Sequence, residues 1–381
     1  MILEKKIGDV FKVTSGGTPS RKKQEYYING TVPWVKTGDL KGKHVNVPKE
    51  YITELALANS SAKIFPKNTV LLAMYGATIG ACSILQMEAA TNQACGAILP
   101  SEECNPNYLY YYFKSIKNEL INMGVGGAQP NISGGIIKNL KIPLPPLDQQ
   151  KKIVAILEAA DAYRQKTKAL ITKYEELTQS LFLDMFGAEG RYPQVAIKEL
   201  VTKITDGTHH TPKYTDSGVP FLRVTDITKS NDSKKYISKK EHNLLIKRCY
   251  PELGDVLYTK NGTIGIAKLI DWDYEFSIFV SLCLLKPKHD IINNKFLESF
   301  LNTPFALKQA MRHSKTGTIT NLHLIEIKKI KIPLPKMKIQ EEFVEKVKFI
   351  EVQKSQAQAS LVQAEYLFNS LLQRAFKGEL V

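Results

Sequence analysis

Short apolar stretches separated by glycine and proline turns run through residues 1–147, and a similar pattern returns in residues 189–337. Residues 32–35 and 69–74 form nearly continuous apolar runs of the length typical of buried strands. Residues 108–122 instead space their apolar side chains three and four apart, which predicts an amphipathic helix. This mixture of strands and helices predicts an α+β fold in both stretches.

A different pattern follows each of these stretches. Proline cannot continue a helix, so Pro143-Leu-Pro-Pro146 predicts the end of a globular domain, and Asp148 is predicted to cap the helix that follows. Apolar or small residues then recur at steps of three and four at Ile153, Ile156, Ala160, Tyr163, Leu170, Tyr174, Leu177 and Leu181. The corresponding positions near the C-terminus are Phe343, Val347, Ile350, Ala357, Leu361, Ala364, Phe368 and Leu371. Thr167 interrupts the first stripe and Lys354 interrupts the second.

These stripes predict two long helices, each about 50 Å long, that pack along an apolar seam. An antiparallel pair is the economical arrangement because each helix leaves one globular domain and leads into, or back toward, the other. The predicted fold class is therefore α+β, with two similar globular domains separated by an antiparallel coiled coil and related by a pseudo-two-fold repeat. The predicted boundaries are 1–147 for the first domain, 148–188 for the first helical spacer, 189–337 for the second domain and 338–381 for the second spacer.

The chain also repeats itself at the level of residues. Three blocks recur in the same order, with offsets that drift by only a few residues. They are Val32-Pro-Trp-Val-Lys-Thr-Gly-Asp-Leu40 with Val219-Pro-Phe-Leu-Arg-Val-Thr-Asp-Ile227, Gly76-Ala-Thr-Ile-Gly80 with Gly262-Thr-Ile-Gly265, and Leu140-Lys-Ile-Pro-Leu-Pro145 with Ile330-Lys-Ile-Pro-Leu-Pro335. A looser echo links Gly17-Thr-Pro19 to the segment from Gly207 to Pro212. The protein is thus predicted to contain two copies of one unit.

Composition and charge narrow the class of protein. Lys and Arg number 52 against 37 Asp and Glu, a net charge of +15. This balance fits either a solvated lysine-rich surface or a phosphate-facing surface spread over two modules. Five scattered cysteines without a Cys-x-x-Cys pair argue against a disulfide framework or a zinc ribbon. The N-terminus lacks the apolar stretch of a signal peptide, and residues 69–81 are too short to span a bilayer, so we expect a cytoplasmic protein with no membrane partner.

Motifs for catalysis are missing from the sequence. It contains no Gly-x-x-x-x-Gly-Lys-[Ser/Thr] phosphate loop and no Asn-Pro-Pro-aromatic run of the kind expected in an amino-methyltransferase. His209 and His210 are adjacent, so in an extended segment they point to opposite faces, and no further ligand follows at metal spacing. Glu326-Ile-Lys328 resembles half of a nuclease motif without the upstream aspartate. We therefore predict no catalytic residue, metal site or cofactor in this chain.

Loops rich in small, polar and basic residues recur at matching places in both copies. Small residues let backbone amides approach phosphates, and Arg, Lys, Asn, Gln and His side chains read base edges. Each loop alone could be an ordinary surface turn, but the recurrence favours DNA contact. Lys36, Arg223, Lys260 and Asn261 follow buried strands and are predicted to be presented rigidly. The full set of candidate DNA-binding residues is Thr18, Arg21, Lys22, Lys23, Lys36, Gln129, Asn131, Thr208, His209, His210, Lys213, Arg223, Lys260, Asn261, Arg312 and Lys315.

Two motifs carry a resemblance to a known family. Ile142-Pro-Leu-Pro-Pro-Leu-Asp-Gln-Gln-Lys-Lys-Ile-Val154, and its copy from Ile332 to Val344, resemble the junction between target-recognition domain and conserved helix in type I restriction–modification specificity subunits. The resemblance covers essentially the whole chain, including its tandem layout. The second copy departs from the pattern, because Lys336-Met-Lys338 stands where the first has Pro146-Leu-Asp148.

The resemblance implies a non-catalytic subunit that recognises double-stranded DNA. Each globular domain would read one half of an asymmetric bipartite site, and the helices would space the two readers. The implied partners are two methyltransferase subunits and motor–nuclease subunits, which would carry S-adenosylmethionine, ATP and Mg²⁺. An enzyme that itself modifies nucleic acid, or a helical adaptor with protein-binding heads, are the alternative functions.

Overall fold

The computed structural model describes residues 3–124, 130–187, 190–228, 235–312 and 321–380. The chain divides into two compact units, one formed by Met1–Lys168 with Ala359–Val381 and the other by Ala169–Gln358. Each unit contains one globular head together with part of both long helices. We call residues 3–146 head 1 and residues 190–336 head 2. The four-part division predicted from the sequence stays a prediction, since the compact units combine helix segments that are distant in the chain.

Head 1 is built on two small sheets. Its strands are β1 (Glu4–Lys6), β2 (Val13–Ser15), β3 (Val32–Val35), β4 (His44–Val45), β5 (Glu50–Ile52), β6 (Ile64–Phe65), β7 (Val70–Ala73), β8 (Cys82–Leu85), β9 (Ala89–Thr91), β10 (Cys95–Ile98) and β11 (Lys141–Pro143). Its helices are α1 (Ile7–Val10), α2 (Glu54–Ala58), α3 (Pro106–Ser115), α4 (Lys117–Asn122) and α5 (Gly134–Asn139), with short 3₁₀ turns at Gln24–Tyr26, Thr37–Asp39 and Gly76–Thr78. The strand orders are β2-β10-β7-β8-β4 and β5-β3-β9-β6, and β1 pairs with β11.

Head 2 repeats this plan after the first long helix, α6 (Leu147–Phe186). Its strands are β12 (Gln194–Ala196), β13 (Val201–Asp206), β14 (Tyr214–Thr215), β15 (Val219–Leu222), β16 (Tyr236–Ile237), β17 (Val256–Thr259), β18 (Ala267–Leu269), β19 (Ser277–Ile278), β20 (Leu282–Pro287) and β21 (Lys331–Pro333). Its helices are α7 (Ile197–Leu200), α8 (Val224–Thr228), α9 (Lys239–Leu245), α10 (Asn294–Leu301), α11 (Pro304–Met311) and α12 (Leu324–Lys329), followed by the second long helix, α13 (Met337–Lys377). The orders are β13-β20-β17-β18 and β14-β16-β15-β19, and β12 pairs with β21. The order β13-β20-β17-β18 repeats β2-β10-β7-β8, and β16-β15-β19 repeats β5-β3-β9, whereas among the described residues the edge strands β4, β6 and β14 each occur in one head only.

The apolar runs of the sequence form central strands. β7 and β17 are buried along their whole length and pair antiparallel with neighbours on both sides. β3 and β15 each pair parallel with one neighbour, β9 and β19 respectively, in the same register. The helix predicted over residues 108–122 is instead two helices, α3 and α4. At the break the Ser115 hydroxyl donates to the Tyr112 carbonyl at 2.7 Å, and such a local bond competes with continuation of the helix.

The two long helices pack antiparallel within each unit. In the first unit, Lys168 Nζ lies 3.0 Å from Glu365 Oε1, and the Arg164 guanidinium lies 4.5 Å from the ring centroid of Phe368. In the second unit, Lys354 Nζ lies 2.7 Å from Glu175 Oε1, and the rings of Phe182 and Phe343 are 5.5 Å apart. As residue numbers increase along α6, the residues that they contact on α13 have decreasing numbers. The two helices are therefore antiparallel, which confirms the predicted antiparallel coiled coil.

The predicted seam is right for α13 and partly wrong for α6. On α13, all eight predicted positions are buried or half-buried, and the interrupting Lys354 is half-buried. On α6, half of the predicted stripe is instead exposed, namely Ile156, Tyr163, Leu170 and Leu177. Leu157, outside the predicted stripe, is buried, and Thr167, the polar member of the predicted stripe, is buried as well; its hydroxyl donates to the Tyr163 carbonyl at 2.9 Å. The stripe was misplaced because α6 carries apolar residues on two neighbouring faces, and spacing alone does not distinguish them.

The helix junctions depend on a residue other than the predicted cap. Asp148 is not an N-cap, because α6 begins at Leu147 and the exposed carboxylate lies inside the first turn. Gln150 is instead fully buried at the junction; it accepts from the Asn105 backbone amide at 2.8 Å and donates to the Pro145 carbonyl at 2.8 Å. Gln340 is also fully buried and makes the matching bonds to Asn293 and Pro335, at 2.8 and 3.0 Å. These glutamines fasten each long helix to its head, so the second junction tolerates its changed Lys336-Met-Lys338 sequence.

Candidate nucleic-acid interface

In each head a loop is held tightly against the end of a parallel strand pair. A Cβ on Gly16 would lie 2.0 Å from the Thr91 carbonyl oxygen, and a Cβ on Gly207 would lie 2.0 Å from that of Ile278. No side chain fits at either position, so glycine allows the loop backbone to lie directly on β9 or β19. The Gly17 amide donates to Thr91 at 2.9 Å, which fixes the loop of residues 16–23 above the sheet.

In head 1, one carboxylate brings two predicted DNA-binding residues together. Glu50 on β5 accepts from Arg21 Nη2 at 2.5 Å and from Lys36 Nζ. The Arg21 guanidinium also lies 4.3 Å from the ring centroid of Tyr27, which stacks edge-on against the buried Trp34. The hydrogen bond from Lys36 and the neighbouring Arg21 hold the pKa of Glu50 below its usual value. The two cations are therefore fixed side by side on an aromatic platform.

The other predicted residues of this loop are exposed. Thr18 donates to Gln93, and Lys23 Nζ lies 3.0 Å from the Tyr26 hydroxyl, while Lys22 is exposed in the same turn. Their exposure and proximity to Arg21 give the loop a positive outer face.

The residue after the central strand is held in the same way in both heads. The Lys36 amide donates to Asp39 Oδ2 at 2.9 Å, and the Arg223 amide donates to Asp226 Oδ2 at 2.8 Å. The Arg223 side chain also lies 3.2 Å from the Asp226 carboxylate. Both basic side chains are half-exposed at the end of a buried strand, as predicted from the repeat.

Head 2 gathers its basic side chains around a buried carboxylate. Asp206 is 3% exposed and accepts from Arg248 Nη2, with Lys260 Nζ at 3.3 Å and His209 Nε2 at 3.2 Å. Lys260 is itself only 4% exposed. Its ammonium therefore faces Asp206 rather than solvent, which favours a positioning role over direct contact with DNA.

Of the remaining predicted residues of this loop, Thr208 is buried and His209, His210 and Lys213 lie on the outer side. The Thr208 hydroxyl lies 2.9 Å from His210 Nδ1, and His210 and Lys213 are exposed. His209 is also exposed apart from its contact with Asp206.

A second matching contact lies beside these loops. Tyr75 forms an isolated bridge with Asn131 in head 1, and Asn261 forms the equivalent bridge with Asn321 in head 2. The side-chain oxygens of Asn261 and Asn321 are buried and have no hydrogen-bond partner within the described ranges. Because buried polar atoms normally have hydrogen-bond partners, these two oxygens mark a place where the candidate surface is not satisfied by the chain itself. Arg312 is exposed at the end of α11, whereas Gln129 and Lys315 lie outside the described residues.

Four residues of this surface are absent from the sequence prediction: Glu50, Asp206, Arg248 and Asn321. Asn321 could have been found, because it is the counterpart of Asn131 at the offset of the Leu140 and Ile330 blocks. Glu50 and Arg248 pair with residues far away in the chain, and no local pattern marks them. Asp206 directly precedes the glycine loop and also meets His209 three residues on, but its burial and its contact with Arg248 are not visible in the sequence.

Nothing in this surface suggests catalysis. In the parts of the chain that the structure describes, no group of three or more His, Cys, Asp or Glu side chains is placed to hold a metal ion. The five cysteines are buried, and burial raises the pKa of the Cys95 thiol to about 12. Thiolate chemistry is therefore suppressed there at neutral pH.

The long helices carry a second surface, made of exposed apolar side chains. On α6, Ile156 and Tyr163 belong to the first unit, and Leu170 and Leu177 belong to the second. On α13 the most exposed members are Phe349 and Val352 in the second unit, and Val362 and Tyr366 in the first. In the second unit, Leu177, Leu181, Phe349 and Ile350 line a shallow groove of about 440 Å³. Apolar stripes of this kind are typical of protein-binding faces.

The family profile described as "Type I restriction modification DNA specificity domain" matches residues 3–178 and 192–355. The chain belongs to this family. The match spans both heads, most of α6 and the N-terminal part of α13, so the resemblance and the fold class inferred from the sequence are confirmed.

Named relatives agree with this assignment. The type I restriction enzyme MjaIX specificity subunit of Methanocaldococcus jannaschii is 25% identical over 99% of this chain and 93% of its own length. The EcoKI specificity subunit of Escherichia coli strain K12 is 21% identical over 96% of this chain and 86% of its own length.

Solved structures of specificity-domain proteins share the fold. The S subunit of a type I restriction-modification system from M. genitalium is similar with a TM-score of 0.51 and 16% identity, covering 99% of this chain and 96% of that one. A chain from a structural study of complex assembly and conformational transition of the type I R-M system has a TM-score of 0.64 and 19% identity, covering 99% of this chain and 98% of that one.

No described helix is both long and apolar enough to cross a membrane.

Proposed function

We propose that this chain is the DNA-recognition subunit of a type I restriction–modification complex and that each head reads one half of an asymmetric bipartite target. The observation that carries the proposal is that the two heads share a backbone arrangement but place different side chains on it. Both heads hold a loop by a glycine against a parallel strand pair and place a basic residue, Lys36 or Arg223, at the same strand end. Family membership and the net charge of +15 support the same role.

The side chains around that backbone arrangement support different readings by the two heads. Head 1 has Glu50 where head 2 has Lys235, since both residues pair with the strand that ends at Lys36 or Arg223. The Glu50 carboxylate holds Arg21 and Lys36 together, whereas an ammonium at the same position cannot accept hydrogen bonds from such cations. The two heads therefore place their basic side chains differently. Two unlike half-sites are the expected consequence.

A head exchange tests this function. Replacing residues 1–147 with the first head of a relative, in a host that supplies the methyltransferase partner, should change one half of the methylated sequence and leave the other half unchanged. Sequencing of methylated bases across the genome measures both halves at once. Simultaneous change of both half-sites would contradict independent reading.

We further propose that the exposed apolar stripes on α6 and α13 bind two methyltransferase subunits, one near each head. Each unit carries stripe residues from both helices, which supports two similar docking faces. Motor–nuclease subunits would join the same complex, and S-adenosylmethionine, ATP and Mg²⁺ would be held by the partner subunits. Native mass measurement should give two methyltransferase subunits per chain, and a complex that saturates at one would argue against the second face.

The lengths of α6 and α13 support a further role in spacing the half-sites. Adding four residues within 354–359 would lengthen α13 by about 6 Å, which corresponds to at most about two base pairs. We expect the same half-site sequences with a gap wider by one or two pairs. Methylation of the original spacing by an assembled, lengthened protein would contradict this role.

Modification of nucleic acid by this chain itself is not favoured, because the family profile that spans it is that of a specificity domain. A purely structural adaptor would bind no duplex even with the methyltransferase present. Binding assays on the assembled complex therefore separate that alternative from DNA recognition.

A further inference from the structure

Head 2 carries a surface pocket that belongs neither to the basic loops nor to the helix stripes. Between β18 and β19 the chain runs through residues 270–276, whereas the matching segment of head 1 is only residues 86–88. The longer segment brings Trp272, Tyr274 and Phe276 together, and they pack beside Tyr250 and Leu253 around a cavity of about 350 Å³. We call this the aromatic pocket.

The pocket walls combine packed aromatic rings with polar side chains. Trp272 and Tyr274 are stacked, with ring centroids 5.8 Å apart and planes at 22°, and Trp272 also contacts Phe276 at 5.5 Å. Leu253 is 67% exposed at the edge. The Trp272 indole nitrogen is buried and has no hydrogen-bond partner in the described parts of the chain. Phe276 belongs to the core and Trp272 is half-buried against it, while Tyr250 and Tyr274 are exposed. Aromatic rings that are anchored in the core and reach the surface in this way are typical of binding sites.

The rim of the pocket is acidic, although the chain as a whole is strongly basic. Glu252 and Glu275 line the pocket and are already paired, with Lys286 at 2.6 Å and with Lys239 respectively. Asp273 also lines the pocket, and Asp271 immediately precedes Trp272 in the chain. Both aspartates are exposed and form no ion pair with any described residue. Negative charge beside aromatic faces repels phosphate and attracts cations.

We propose that the aromatic pocket binds an arginine-rich or lysine-rich segment of a protein partner. A guanidinium group stacks on Trp and Tyr faces and hydrogen-bonds carboxylates at the same time, so Trp272 or Tyr274 would hold its plane while Asp271 and Asp273 neutralise its charge. Nucleic acid is disfavoured by the acidic rim. A second copy of this chain is the other possible occupant, and the experiment separates it from a basic partner.

The test uses the two tryptophans as reporters. In the full chain labelled with ¹⁵N-tryptophan, Trp272→Phe assigns the two indole signals, and an oligo-arginine peptide is then titrated. We expect the Trp272 signal to move while that of the buried Trp34 in head 1 stays in place. Replacing Asp271 and Asp273 by Asn should weaken the peptide roughly three- to tenfold, because exposed ion pairs each contribute modestly. Replacing Glu199 and Asp290, two exposed carboxylates elsewhere in head 2, by Gln and Asn should leave the affinity unchanged.

Four results would overturn the proposal. The Trp272 signal stays in place at saturating peptide; an oligonucleotide moves it at lower concentration than the peptide does; or dilution of the chain alone moves it, which would identify a second copy as the occupant. Equal weakening by the acidic pair and by the control pair would also exclude a specific site.

Discussion

The two heads share one backbone frame and differ in what they bury at matching positions. Asp206 and Lys260 form a buried ion pair in head 2. The strand registers place Ser15 and the buried Met74 at the same positions in head 1. A second polar pair of head 2 is also replaced by apolar residues in head 1. The buried His242 lies 2.9 Å from Ser277, and the equivalent positions in head 1 are Leu57 and Ala90.

This difference shows which part of the fold is variable. Strand pairing and the glycine contacts with Thr91 and Ile278 recur, so the frame does not depend on any of the exchanged side chains. The exchanged pairs lie under or beside the candidate reading face. A face can therefore change its polar chemistry while the sheet beneath it keeps its register.

The largest expected effect comes from breaking the buried pair of head 2. Asp206→Asn leaves Lys260 charged and buried without its carboxylate, which should cost about 3–5 kcal/mol in the free energy of unfolding. Urea unfolding in a Trp34→Phe background measures this, because Trp272 then reports head 2 alone.

The matched control gives head 2 the residues that head 1 has at these two positions. Asp206→Ser with Lys260→Met removes both charges together, and we expect it to be far less destabilising than the single change. If the double variant loses as much stability as Asp206→Asn, the ion pair is not what separates the two heads.

The second expected effect concerns the strand-end residues. Arg223→Ala should cost about 1–3 kcal/mol in binding to the half-site of head 2, provided that Arg223 contacts a guanine bidentately. Lys36→Ala should act on the other half-site. Competition binding with duplexes altered in one half at a time measures this, and Lys240→Ala, an exposed change on α9, is the control. Uniform weakening on all sequences would identify a phosphate contact instead.

Local patterns predicted the elements that are defined by local contacts. The buried run at β3, the turns of the repeat and the two long helices all follow from neighbouring residues. The contacts that build the candidate site are not local: Glu50 meets Arg21 across 29 positions, and Asp206 meets Arg248 across 42. Such pairs are decided by strand order, which no spacing rule supplies for a single sequence.

The burial of α6 shows a second reason for failure. Periodicity identified the helix, but it could not choose between two apolar faces separated by one residue. Thr167 is buried in the seam while Leu170 is 42% exposed, because the partner helix and the head decide which face is covered. Tertiary packing thus overrides hydrophobicity at individual positions.

A smaller effect is expected from Glu50, whose position in head 2 is taken by Lys235. Glu50→Gln removes the charge that holds Arg21 and Lys36 side by side, so both cations become freer to meet phosphate. We expect roughly threefold tighter binding to all duplexes, with poorer discrimination at the head 1 half-site. The affinity ratio between specific and unrelated duplexes measures this, with Glu54→Gln on α2 as the control. Reduced affinity for every duplex would contradict the positioning role.

The smallest expected effect is a pH dependence of the stability of head 2. Burial lowers the pKa of His242 below its ordinary value; among its charged neighbours, Glu275 opposes this shift and Lys239 adds to it. As the pH falls below about 6.5, the unfolded chain takes up a proton that the folded chain resists, so head 2 should lose stability there and keep it above that pH. Head 1 has Leu57 at this position, but burial also lowers the pKa of its own His44, so the comparison is made within head 2. Urea midpoints of head 2 at pH 5.5 and 7.5 should differ more in the parent than in a variant combining His242→Leu with Ser277→Ala. Equal pH dependence in the two proteins would exclude His242 as its source.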